Sequence, residues 1–153
     1  LWWLYRDDLL PKPTKFCGYA RSMLTTETLK EQCLPYMKVQ PHEQNKYEEF
    51  WALNDYVSGR YDGRTSFEVL NQRLEMMENK NKANRIFYLA LPPSVFEEVT
   101  VNIKQVCMSL CGWNRVIIEK PFGRDDASSQ ALSDHLAGLF NEDQLYRIDH
   151  YLG

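Results

Sequence analysis

Long apolar runs are missing from the start of this chain, and a strong bias of charge is missing throughout. The opening LWWLY segment breaks at Arg6 after five residues, too short for a signal peptide or a membrane span. Lysine and arginine number 18 against 21 acidic residues, a net charge of −3. No global field therefore favours nucleic acid or an anionic membrane, and any bound anion must be held by a few focused cations. The spacing of a metal or disulfide framework is missing among the four cysteines as well. Cys107 and Cys111 stand one helical turn apart, Cys17 and Cys33 lie far away, and no CxxC or histidine spacing of a zinc site accompanies them. They read as buried free thiols of a reducing compartment, with no metal. What is present is ordinary: 44% apolar and 25% charged over 153 residues, enough for one domain with a core and unlike a disordered tail.

Two kinds of hydrophobic spacing organise the chain. Leu1 to Leu10 reads as the end of an amphipathic helix closed by Pro11 and Pro13. Lys15–Ala20 and Tyr56–Gly59 read as short strands, with helices over Thr25–Lys38, Glu43–Leu53 and Ser66–Glu78. In the last of these Phe67, Leu70, Leu74 and Met77 recur at helical spacing. Further on, the run after Arg85, IFYLAL, predicts a strand buried on both faces, and Arg115–Lys120 a second. Ser94 and Glu97 have the spacing of a capping box for a helix whose stripe is Val95, Val99, Ile103, Val106 and Leu110. A last helix carries Leu132, Leu136 and Leu139, and Leu145–Asp149 is the final strand candidate. Strand and helix alternate as in a parallel α/β sheet, where ligands sit past the carboxyl ends of strands.

The residues at those ends bear the chemistry. Arg21 follows the first strand, where dinucleotide-binding folds read the adenosine ribose, and a cation there favours NADP over NAD. Its planar fork suits a 2′-phosphate better than lysine would. No Gly-x-Gly-x-x-Gly loop is present, nor the strand that should precede one. Lys120 stands at the mouth of its strand before Pro121, where cofactor and substrate could meet. In the closing RIDHYLG, Asp149 and His150 must serve different partners, because successive strand side chains point to opposite faces. His150 can donate to a phosphate, Tyr151 can add a hydroxyl, and Asp149 can orient a base from elsewhere in the fold. His135 flanks an apolar stripe and reads as structural; His42 lies in a loop. Two other readings stay open here: another NADP-dependent sugar oxidoreductase with the EKP motif, or a nucleotide-binding module without catalysis.

LWWL, GYARS (18–22), FYLALPP (87–93), GWNR (112–115), EKPFGRD (119–125) and RIDHYLG (147–153), in that order, resemble glucose-6-phosphate dehydrogenases over essentially the whole chain. The resemblance implies that residues 1–153 are part of a Rossmann-like NADP-binding domain, an α/β parallel sheet with flanking helices truncated at both ends. The first strand and glycine-rich loop should precede Leu1, and an α+β domain should follow Gly153. It implies oxidation of glucose 6-phosphate at C1 with NADP⁺, the entry to the pentose phosphate pathway, in a cytoplasmic homo-oligomer, dimer or tetramer. Arg21 and Lys120 would bind the cofactor; Lys120, His150 and Tyr151 would bind the sugar. Asp149 would pair with a catalytic histidine beyond Gly153, so the fragment alone is expected to be inactive. Where the family often has a tyrosine after PP, this chain has Phe96, so a phenol contact there is lost.

Overall fold

The computed structural model describes residues 1–79, 82–119 and 126–148, in two compact units, Leu1–Arg60 and Tyr61–Gly153. Among the described residues no helix is long and apolar enough to cross a membrane.

In the first unit a parallel pair of strands, β1 (Phe16–Ala20) and β2 (Asn54–Ser58), runs in register from Phe16↔Asn54 to Ala20↔Ser58. Helices α1 (Trp2–Arg6), α2 (Thr26–Met37) and α3 (Gln44–Ala52) complete it, the last preceded by a 3₁₀ turn at Pro41–Glu43. Thr25 caps α2, its Oγ1 accepting from the Thr28 amide at 3.1 Å. The left-handed Lys38 (φ 51°) ends it. Aromatic residues make the core. Trp2 meets Tyr47 edge-on at 5.3 Å, and Phe50 lies within 5.7 Å of Trp2, Tyr5, Phe16 and Trp51. Lys46 ties α3 to α1, donating to the Arg6 carbonyl at 2.9 Å and to Asp8 at 2.8 Å.

The second unit holds an all-parallel sheet in the order β3 (Arg85–Leu89), β4 (Asn114–Glu119), β5 (Leu145–Ile148). Helices α4 (Arg64–Met77), α5 (Pro93–Asn102) and α6 (Asp126–Leu139) connect and cover it. Phe67, Phe96, Val99, Ile103, Val116, Ile118, Leu132, Leu136 and Phe140 are buried between them. Fully buried Thr100 donates to the Phe96 carbonyl at 2.8 Å and hydrogen-bonds His135 Nε2 at 2.9 Å, which makes that histidine structural, as expected.

Three local expectations are overturned. β3 is not buried on both faces: Ile86 and Tyr88 are 55% and 51% exposed, alternating with buried Arg85 and Leu89. Their register partners Arg115, Ile117 and Tyr146 belong to the same face, which the described helices leave largely open. The capping box is not made either. Pro92 is the N-cap of α5 and Pro93 its first residue, so Ser94 falls inside the helix, with no side-chain cap bond. Proline's fixed φ suits the first helical position and moves the helix start upstream. Finally, Leu110 leaves its predicted stripe and is 97% exposed. A π-helical turn at Ile103–Cys107 rotates the helical register, and Met108 is extended.

Candidate functional site

The strand ends of the first unit position one of the predicted site residues. Arg21 is exposed in the bend immediately after β1. Its neighbours on both sides are fixed to β2 and the residues after it. The Gly59 amide donates to the Ala20 carbonyl at 3.0 Å, and the Tyr56 hydroxyl donates to the Ser22 carbonyl at 2.5 Å. Tyr19 reciprocates, donating from β1 to the Arg60 carbonyl at 2.5 Å. The result is an exposed arginine on a short backbone segment held at each end, just past the carboxyl end of a parallel strand. An exposed cation so held fits a phosphate, for which arginine offers two parallel donors.

In the second unit β4 and β5 end side by side, Glu119 being the register partner of Ile148. The next residues in the chain are Lys120 and Asp149. Both lie outside the described residues, with His150 and Tyr151. Just before Lys120, the Tyr88 phenol from β3 donates to the Glu119 carboxylate. That bond to an anion, followed by partial burial, pushes the phenol's pKa up to about 12. Tyr88 therefore stays a donor and ties the end of β4 to β3. In the sequence it belongs to an apolar run, and the signal that its side chain faces away from the core is its period-two position in IFYLAL.

Other residues have structural employment. Arg147 donates to Glu142 at 2.7 Å, so its charge is matched within its own hairpin-like corner of 3₁₀ turn and strand. Phe96 is buried at 3% exposure in α5, an apolar core residue. The side chain of His42 is 82% exposed beside Glu43, on the turn before α3. All four cysteines are free, as expected, but only Cys107 is buried; Cys111 is exposed and the others are intermediate. Burial pushes the Cys107 thiol up to about 12, with the Arg85 guanidinium acting in the opposite sense.

The family model described as "Glucose-6-phosphate dehydrogenase, NAD binding domain" matches residues 1–153. The glucose-6-phosphate 1-dehydrogenase of Drosophila melanogaster is 92% identical over all of this chain, which spans 29% of that protein's length. That of Sarcophaga bullata is 72% identical, with both sequences covered completely. A solved structure, "Glucose-6-phosphate dehydrogenase in complex with its substrate glucose-6-phosphate", matches at a TM-score of 0.88 and 41% identity, over 98% of this chain and 32% of that one. The chain belongs to the glucose-6-phosphate dehydrogenase family of oxidoreductases, in its NAD-binding domain.

Proposed function

We propose that residues 1–153 form part of the NADP-binding domain of an enzyme that oxidises D-glucose 6-phosphate at C1. The product is 6-phospho-D-glucono-1,5-lactone, and the step opens the pentose phosphate pathway in the cytoplasm. The bound NADP⁺ supplies the hydride acceptor. Arg21 grips its 2′-phosphate. Lys120 binds at the junction of cofactor and sugar, and His150 and Tyr151 hydrogen-bond the sugar phosphate. The C1 hydrogen leaves as hydride while the C1 hydroxyl proton passes to a histidine base outside these residues. Asp149 holds that base in the accepting tautomer and stabilises its protonated form. The parent protein works as a homo-oligomer.

The observation that carries this reading is Arg21: an exposed guanidinium anchored after the first strand of a chain that matches the family throughout. It supports the choice of NADP, because a 2′-phosphate gives that cation a partner that NAD lacks. The substrate named for the structural relative supports the choice of sugar. The test uses the full-length parent protein with NADP⁺ and glucose 6-phosphate, following absorbance of the reduced nicotinamide. Arg21→Ala should weaken NADP by about 1.5–3 kcal/mol, the range for a lost hydrogen bond to a charged group, and leave NAD nearly unaffected. Equal losses for both cofactors would refute the 2′-phosphate role.

A further inference from the structure

Arg21 owes its position to a tyrosine 35 places further along the chain. Tyr56 lies opposite Gly18 in the parallel register of β1 and β2. Its ring crosses the bare Cα of that glycine: a Cβ built there would lie 3.1 Å from Tyr56 Cδ2 and 3.8 Å from Cε2. Past the glycine, the phenol ends at the Ser22 carbonyl, 2.5 Å away. Two peptides earlier, the Ala20 carbonyl is held from Gly59 at 3.0 Å. The backbone around Arg21 is thus fastened on both sides, and on its far side a side-chain hydroxyl takes part in the fastening. A residue so bracketed presents its guanidinium from a defined base, which lowers the ordering cost of binding. Glycine at 18 leaves room for the ring, which a Cβ there would press aside by a few tenths of an ångström.

We infer that Tyr56 is a positioning residue for cofactor choice, acting through the Ser22 carbonyl to set Arg21 for the 2′-phosphate. The inference rests on the proposed role of Arg21. It predicts a selective effect, because NAD has no 2′-phosphate to feel a displaced guanidinium. A tyrosine that merely stapled two strands together would weaken both cofactors alike, or neither.

The experiment uses the full-length enzyme and compares kcat/KM for NADP⁺ and NAD⁺ at saturating glucose 6-phosphate. Tyr56→Phe keeps the ring over Gly18 and removes only the hydroxyl. It should lower the NADP-to-NAD ratio by about threefold to tenfold, the factor that one neutral hydrogen bond carries, with NAD kinetics within about twofold of the parent. Gly18→Ala, which displaces the ring while keeping its hydroxyl, should shift the ratio in the same direction. In an Arg21→Ala background Tyr56→Phe should change the ratio no further. An unchanged ratio in Tyr56→Phe overturns the inference, as does an undiminished effect in the Arg21→Ala background. If Arg21→Ala itself leaves the ratio intact, the 2′-phosphate reading fails first and the inference falls with it.

Discussion

Replacing Arg85 by methionine should loosen the second unit, by an amount that its bonds set. Arg85 opens β3 and is 8% exposed. Its Nε and Nη2 each donate to one carboxylate oxygen of Glu78 at 2.8 Å, a bidentate pair. Its Nη1 donates to Asn71 Oδ1 at 2.7 Å and to the Cys107 carbonyl at 2.6 Å. One guanidinium therefore joins α4, the residue that caps it, the first residue of β3 and the end of the π turn. Methionine keeps much of the apolar volume but strands the Glu78 carboxylate, whose side chain is only 19% exposed. Removing one partner of a buried pair costs about 3–5 kcal/mol, and partial solvation of Glu78 sets the expectation near the lower end. About 3 kcal/mol is a hundredfold or more in an opening equilibrium. Native-state hydrogen exchange on the full-length protein should thus show the β3 and α4 amides losing protection by about that factor. Arg85→Lys should recover under half of the loss, since one ammonium cannot span all three acceptors. Arg85→Met with Glu78→Met should recover most of it, because the stranded charge is gone. Unchanged protection in Arg85→Met, or a double variant worse than the single, would refute the account.

Asp149→Asn in the full-length enzyme should lower turnover and leave sugar affinity largely intact, because an amide cannot stabilise a protonated base; a fall in affinity alone would make Asp149 a binding residue. Among the thiols, exposed Cys111 should react with an alkylating reagent in the native protein while Cys107 reacts only on unfolding, as peptide mapping would reveal. Cys107 also sets a sign for pH. Its thiol is raised from 9.0 to about 12 in the fold, so its contribution to stability is full below pH 9 and declines as pH rises toward 12. Alkaline unfolding that is unaltered in Cys107→Ala, after correction for the lost packing, would contradict this.

Much of the secondary structure was legible in the hydrophobic period. Phe67 and Leu70 are buried in α4 at the spacing that predicted it, and α2 lies within the Thr25–Lys38 range expected to be helical. The failures share a cause: a local rule met a competitor a few residues away. Pro92 and Pro93 displaced a capping box that Ser94 and Glu97 spelled correctly. An inserted π turn carried Leu110 off a stripe that ideal helical spacing would have continued. The position of Arg21 just past the end of β1 was legible in the sequence. The reason that it is held there was not, since no spacing rule links position 21 to position 56. Tyr88 was hidden likewise, its partner Glu119 being 31 residues distant.

Glycines in the family-like motifs extend the same point. Gly18 of GYARS and Gly112 of GWNR invite a reading as flexible or ligand-facing positions, but in each case the constraint comes from a remote part of the fold. A Cβ on Gly112 would lie 2.1 Å from the Ala83 carbonyl oxygen and 2.5 Å from Asn84 Oδ1, a clash with backbone that no rotamer change relieves. Around it, Ser109 Oγ donates to that same Ala83 carbonyl at 2.6 Å and accepts from the Gly112 amide at 3.1 Å. The Trp113 amide donates to Asn84 at 2.9 Å, so GWNR closes the loop that leads into β3. At Gly18 the neighbour is a side chain able to yield a few tenths of an ångström. The two glycines are therefore unequal: substitution at 112 must break a backbone junction, whereas substitution at 18 shifts one tyrosine. Gly112 thus belongs to a junction between backbone segments of the sheet unit, and Gly18 to a contact between β1 and β2.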